Sequence, residues 1–247
     1  EEGSLTAAQV ASVLGLPDGI DPLTFNPFAD GVSVDDALAV EKASQQIMSV
    51  VNAFASAAEG AGATEAVAFT AALNSLVEVV KTKAAASGSL DLTDSADLAL
   101  IKDQAKTDMA TTAGVNTTAF NALADDTATA VENVNAKIEA ITDTNLDSDA
   151  SKNIFSTTQV LADQVKTAAA AEVATAGSGS SSITFTDSNV VNTAASNKAP
   201  TDIALSTNSI SENVLMGAAG AASSRVIGTL TTTDSDQTAG VKPIYAL

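Results

Sequence analysis

Carboxylates are the most abundant chemically useful side chains in this sequence. The 247 residues include 30 Asp and Glu but no His, Cys or Trp, and one arginine, Arg225. The sequence therefore excludes Cys nucleophiles, His general bases and the Cys/His sites of zinc, haem and iron–sulfur proteins. The net charge of −19 argues against nucleic-acid partners. No apolar run is long enough for a spanning helix, so we expect no membrane insertion.

One acidic loop has the spacing of a calcium ligand set. Residues 143–149 read Asp-Thr-Asn-Leu-Asp-Ser-Asp, with oxygen-bearing side chains where an EF-hand loop has its first ligands. Ser148 replaces the glycine of that motif, and Ile154 replaces its bidentate glutamate. We therefore favour a turn that caps the following helix, with a weak calcium site as the alternative.

Some enzyme mechanisms need neither His nor Cys, but the sequence contains no motif typical of them. Ser148 and Lys152 form a Ser-x-x-x-Lys pattern, which is not the spacing of a Ser/Lys hydrolase. The acidic pairs Asp35-Asp36 and Asp125-Asp126 have no aromatic platform that could hold a sugar. We expect these pairs to lie on solvated helix faces and the protein not to be an enzyme.

The first 175 residues have the pattern of a helical bundle and carry 25 of the 30 acidic residues. Apolar residues recur at steps of three and four, which predicts five helices. Expected caps are Ser33, Thr93 and Asn116, and the second helix is expected to bury Phe69, Leu73, Leu76 and Val80. The predicted helices span about 34–59, 65–86, 94–112, 117–142 and 149–175.

The remaining residues have a different pattern, and the sequence divides at a Gly/Ser-rich stretch, 177–182. Beyond it, Thr, Ile and Val alternate, which predicts short strands near 183–186, 202–206 and 225–231. The predicted fold class is α + β in separate domains, an all-α bundle of about five antiparallel helices followed by an incomplete β-sandwich. The domains are an N-terminal Pro-containing segment packing on the bundle (1–31), the bundle (32–175), a linker with a short strand (176–199) and a β domain (200–247).

The N-terminal segment contains three prolines and several large apolar residues. We expect Leu23, Phe25 and Phe28 to close one end of the bundle. The opening Glu1-Glu2-Gly3 is unlike a signal peptide, and the sequence does not begin with Met. We therefore expect a processed protein or a piece of a longer one.

The β half carries the motifs of a known family. Residues 197–205 read Asn-Lys-Ala-Pro-Thr-Asp-Ile-Ala-Leu, and 226–236 contain Val-Ile-Gly-Thr-Leu followed by Asp-Ser-Asp. This resembles the opening of a bacterial cadherin-like repeat, a calcium-dependent β-sandwich with an Ig-like arrangement. The resemblance implies calcium ligands at Glu212, Asp234 and Asp236. Lys198 departs from the family pattern, because a ligand is expected near that position.

The N-terminal half carries a second resemblance. Residues 14–29, Leu-Gly-Leu-Pro-Asp-Gly-Ile-Asp through Phe-Asn-Pro-Phe-Ala, precede Ala-rich helices. This resembles domains upstream of cadherin-like repeats in large type I-secreted, RTX-type adhesins. The resemblance implies an extracellular, cell-surface location and a non-enzymatic adhesive role. The implied partners are neighbouring modules of a longer chain and cell-surface or matrix ligands.

A different structural role is also compatible with the β half. Too few strands are legible for a closed sandwich, and open strand edges can pair with another chain. The alternative function is therefore a subunit of a self-assembling surface layer, sheath or filament. Its partners would be other copies of itself, joined by β-strand exchange between copies.

Overall fold

The computed structural model describes residues 5–27, 29–144, 149–179, 181–183, 202–205 and 230–233. The chain divides into two compact units, Glu1–Ala194 and Ala195–Leu247. The described part of the first unit contains helices α1 (Ala7–Val13), α2 (Val34–Gly60), α3 (Glu65–Ala85), α4 (Ser95–Met109), α5 (Thr117–Glu139) and α6 (Asp149–Ala174). In the second unit, β1 (Asp202–Leu205) pairs antiparallel with β2 (Leu230–Thr233).

Four of the helices form an up-and-down bundle. The helices α2, α3, α4 and α5 each pack against the next, and α5 packs back against α2, which closes the ring. The short connections make successive helices antiparallel. The last helix, α6, runs parallel to α2 and packs on both α2 and α5, while α1 contacts α3.

Local sequence signals position the helices well. The five long helices begin within one residue of the predicted starts and end within three residues of the predicted ends. Ser33 and Asn116 are the predicted N-caps, and each accepts a hydrogen bond from a backbone N–H in the first turn. The cap of α4 is Asp94 rather than Thr93, since the Asp94 side chain accepts bonds from the N–H groups of Ala96 and Asp97.

Several helices end in the same backbone motif, in which the chain turns into the left-handed region just after the last turn. A backbone N–H then reaches the carbonyl five residues earlier, as from Gly88 to Lys83 and from Gly177 to Glu172, both at 2.8 Å. This motif explains why the helices stop where they do. The residues at the left-handed position, all with φ between +53° and +111°, are Gly15, Gly62, Ser87 and Ala176.

Small residues dominate the core, because the sequence supplies few aromatic side chains. Phe54 of α2 and Phe120 of α5 are its largest members, with ring centroids 6.4 Å apart. Ala57, Ala58 and Ala169 are completely buried. The helices can therefore approach one another closely. Among the described residues, no helix combines the length and apolarity needed to cross a bilayer.

Helices α2 and α6 approach each other closely at Gly60. A Cβ atom at this position would lie 2.8 Å from the Ala169 Cβ and closer still to the Lys166 carbonyl oxygen. Only glycine fits against the backbone of α6 at that separation. The end of α2 is thus fixed by contact with α6 as well as by its own cap.

The buried face of α3 differs from the predicted one. Leu76 and Val80 are buried as expected, but Phe69 and Leu73 are 38% and 39% exposed. Ala68 and Ala72 are buried instead. Their small side chains let α3 approach its neighbours, and this rotates the larger residues outward. The prediction for Leu23 is also wrong, because this side chain is 82% exposed.

The predicted fold class is wrong in its β part. Apart from one ladder of two four-residue strands, the described residues with regular structure are helical. Two such strands make a single sheet, whereas a sandwich needs two facing sheets. Ile183 does not lie in a strand, although it was predicted to start one. Alternation of Thr, Ile and Val reports local β propensity, and that propensity depends strongly on surrounding contacts.

We expect Gly60→Ala to lower the free energy of unfolding by about 1–3 kcal/mol, because the added methyl overpacks the α2–α6 contact. In an unconstrained helix the same change would be stabilising. Gly88→Ala is the matched control, since a Cβ there would make ordinary contacts, the nearest at 3.6 Å. Urea denaturation of the two variants measures the difference, and equal midpoints would contradict the close contact at Gly60.

Candidate functional site

The residues predicted to bind calcium fall outside the part of the chain that the structure describes. This applies to Glu212, Asp234 and Asp236. In the EF-hand-like loop, Asp143 and Thr144 are described, but residues 145–148 are not. Among the described residues, no three Asp or Glu side chains cluster closely enough to hold a metal ion.

The two acidic pairs noted in the sequence have separate structural surroundings. Asp35 and Asp36 lie in the first turn of α2, where negative charge interacts favourably with the helix dipole. Asp125 forms ion pairs with α4, and Asp126 accepts a hydrogen bond from the backbone N–H of Ile183 at 3.4 Å. Neither pair presents two carboxylates to a common cleft.

An ion-pair network joins α4 to α5. The Lys102 ammonium lies 2.6 Å from Asp125 Oδ1, and Lys106 lies 3.8 Å from Asp125 Oδ2. The hydrogen bond from Lys102, with the positive charges of both lysines, holds the pKa of Asp125 below its ordinary value. The same hydrogen bond raises the pKa of Lys102. Asp125 is 71% exposed, so the network contributes only modestly to stability.

A groove of about 270 Å³ lies where the C-terminal end of α1 meets α2 and the end of α5. The polar side chains around this groove form hydrogen bonds that join the surrounding helices. The Lys42 ammonium donates to the Glu139 carbonyl oxygen at 2.6 Å and so caps α5, and the Gln46 amide donates to the Glu139 carboxylate at 3.2 Å. Below them, the buried Asn135 amide donates to the Leu92 carbonyl oxygen at 2.8 Å. These contacts fix the end of the bundle.

At the opposite end of the bundle, a cluster of polar groups surrounds Glu172. This glutamate is in α6 and is completely buried. Its carboxylate accepts hydrogen bonds from the backbone N–H groups of Gly179, at 2.8 Å, and Ser181. A buried carboxylate that receives backbone N–H groups is well solvated by them, so the charge is tolerated inside the protein. We call Glu172, residues 177–179 and residues 181–183 the Glu172 clasp.

Local backbone geometry directs the chain into this clasp. After α6, the left-handed residues Ala176 and Gly177 reverse the chain direction. Gly177 then lies directly against Thr118, at the start of α5, where a Cβ atom would collide with the threonine. Ile183 lies farther along α5, beside Asp126, and packs on the core. The segment that leaves the bundle is therefore laid back along α5 and α6.

The sequence predicted a Gly/Ser linker over this segment, and Glu172 was not among the predicted site residues. A signal was present, however. Leu161, Val165 and Ala169 form the buried stripe of α6, and Glu172 follows in the same helical register. A carboxylate on an apolar stripe, followed by Gly-Ser-Gly, indicates a buried acceptor for backbone N–H groups.

Comparison with protein-family models, curated proteins and solved structures gives no match to this chain. The resemblance to secreted adhesins therefore rests on the sequence motifs alone.

Replacing Asp125 by asparagine should reduce stability at neutral pH by less than about 1 kcal/mol, as is typical of an exposed ion pair. The folded-state pKa of Asp125 lies below its unfolded value. Its contribution is therefore present above the unfolded pKa and is lost as the pH falls through the folded value. Urea denaturation of wild type and Asp125→Asn from pH 7 to pH 2 should show curves that converge at low pH. The exposed loop variant Asp30→Asn is the control, and a constant difference across this range would contradict the linkage.

Replacing Glu172 by alanine should lower the free energy of unfolding by about 1–3 kcal/mol, because two backbone N–H groups lose a charged acceptor. Hydrogen exchange at the Gly179 and Ser181 amides should accelerate in the same variant. Glu172→Gln keeps the volume and one acceptor oxygen, so we expect an intermediate effect. Asp163→Ala is the matched control, since Asp163 is an exposed acid on the same helix. Unchanged exchange at Gly179 and Ser181 in both Glu172 variants would refute the clasp.

Proposed function

We propose that this chain is a non-enzymatic structural and adhesive component of a bacterial cell surface. In this proposal the helical bundle is a rigid body that holds the chain under tension. The observation that carries the proposal is the Glu172 clasp. A segment that only connected two parts would need no buried carboxylate to attach it.

The ends of the bundle support the same role. At the other end of the first unit, the Leu90 N–H donates to the Val13 carbonyl oxygen at 2.7 Å and so ties α1 to the loop before α4. Beside the clasp, the Asn116 N–H donates to the Ala61 carbonyl oxygen at 2.8 Å and joins two loops. Under tension along the chain, the hydrogen bonds at both ends of the bundle would bear the load before the core did.

The surface chemistry also suits an extracellular setting. The chain has no cysteine to oxidise, and its charge of −19 is screened within about 8 Å at physiological ionic strength. Calcium belongs to this proposal through Glu212, Asp234 and Asp236 of the second unit, as the resemblance implies. Oxygen-rich carboxylates are suitable ligands for such a hard cation.

Attachment under flow tests this function. Cells that express the Glu172→Ala variant should detach from a surface at lower shear than wild-type cells. Cells that express Asp163→Ala should behave like wild type. Antibody labelling of intact cells measures the amount displayed, and calcium chelation should weaken attachment as the triple variant E212Q/D234N/D236N does. Label confined to the cell interior, or equal detachment for the two single variants, would overturn the proposal.

A further inference from the structure

The N-terminal segment before α2 is joined to the bundle by few buried side chains. We call its described residues, 5–27 and 29–32, the strap. Within the strap only Ala11 and Val13 are buried, and Val13 belongs to the hydrophobic core. Leu5 and Leu14 pack against that core but are only partly buried. The strap therefore gains little hydrophobic free energy from its contact with the bundle.

The backbone hydrogen bonds of the strap are almost all internal. They join residues close together in the chain, as from the Phe25 N–H to the Asp21 carbonyl oxygen at 2.9 Å. Among the described residues, one backbone hydrogen bond joins the strap to the rest of the bundle, from the Leu90 N–H to the Val13 carbonyl oxygen at 2.7 Å. Detachment of the strap would therefore break one such bond and leave those of α2 to α6 in place.

Open grooves border α1 where it meets the bundle. One groove, of about 340 Å³, has Ala8 of α1 on one wall and Ala84 of α3 on the other. The groove of about 270 Å³ lies between Leu14, just after α1, and Ile47 of α2. Where such a groove opens, side chains meet solvent instead of a neighbouring helix, so they gain little dispersion energy. The contact between α1 and the bundle is therefore loosely packed.

The other helices of the bundle form a closed unit without the strap. Helices α2 to α5 complete a ring, α6 packs on α2 and α5, and α1 packs on this unit through α3. The exit segment is held more firmly, because the completely buried Glu172 accepts hydrogen bonds from the backbone of Gly179 and Ser181. The strap can therefore leave while the contacts between α2 and α6 remain.

We propose that the strap is an extensible element, which detaches from the bundle as one piece while α2 to α6 stay folded. Helix α1 has seven residues, too few for a stable isolated helix in water, so the strap unfolds once it is detached. The chain from Thr6 to Ser33 can then extend to about 90–100 Å, at about 3.3–3.6 Å per residue. When the strap docks again, Val13 returns to the core and the bond to Leu90 re-forms.

The use of this element rests on the proposed function, whereas the detachment itself does not. Tension that enters from the N-terminal side passes through α1 before it reaches α2, because α1 comes first in the chain. Detachment lengthens the chain under a load that leaves the core and the Glu172 clasp intact. The strap thereby limits the force that a sudden pull transmits to the rest of the bundle.

Hydrogen exchange on the full chain tests the detachment without applied force. The amides of Leu14 and Leu90 should exchange at least about tenfold faster than the amide of Val131 in the buried centre of α5, because local opening exposes them. Val13→Ala should accelerate Leu14 and Leu90 by the same factor, about fivefold, and leave Val131 unchanged. Leu23→Ala is the matched control, since Leu23 is a strap residue that is 82% exposed. Unequal responses of Leu14 and Leu90 to Val13→Ala, or exchange as slow as at Val131, would overturn the proposal.

Single-molecule stretching of the full chain tests the extension. The chain has no native cysteine, so handles can be attached at introduced ones. Handles at Glu2→Cys and Asp35→Cys enclose the strap, whereas handles at Asp35→Cys and Glu65→Cys enclose α2 and provide the control. The first pair should show a reversible lengthening of several tens of Å at a lower force than any step of the second pair. Val13→Ala should lower that force further.

The outcomes separate this inference from the proposed function. If the first pair of handles shows no early reversible step, the extensible strap is refuted. If the step is present but cells with Glu172→Ala and Asp163→Ala detach equally under flow, the strap is supported and the adhesive function is refuted.

Discussion

The structure depends on the close approach of helices that have little bulk to pack between them. At Gly60, α2 comes so near the backbone of α6 that there is no space for a methyl group. The same principle operates where Gly62 meets the Gly114 carbonyl oxygen, so two loops touch through their backbones. With few aromatic residues, a core rich in alanine gains part of its dispersion energy by bringing main chains together.

Several polar side chains lie in the close contacts between helices and bind backbone groups or partners on the next helix. Ser75 of α3 is completely buried and donates to Asp108 of α4 at 2.7 Å, and Asn135 donates to the Leu92 carbonyl oxygen. Glu172 likewise accepts hydrogen bonds from backbone N–H groups of the segment that leaves the bundle. Buried polar groups of this kind add specificity to a core whose apolar residues are similar in size.

The proposed structural and adhesive role rests on how the chain is held where it leaves the bundle. A reactive centre would need convergent side chains in a cleft, whereas the clasp joins one carboxylate to the main chain of its own molecule.

The sequence by itself determined where the helices begin and end, because caps and chain reversals are local. Ser33 and Asn116 cap their helices through neighbouring N–H groups, and Gly62, with its positive φ, follows the end of α2. Composition likewise determined which chemistries are unavailable, since no His or Cys is present. The predicted sandwich failed because alternation specifies a strand but not the sheets that must face it.

Only the tertiary structure decided which face of each helix is buried and what the exit segment contacts. On α3 the buried face includes Ala68 and Ala72 rather than Phe69 and Leu73, because the two alanines fit closely against neighbouring helices. Glu172 acquired its partners because the chain reverses at Ala176 and Gly177 and returns along α5. Such contacts join residues through the packing of several elements, and no local pattern encodes the distance between them.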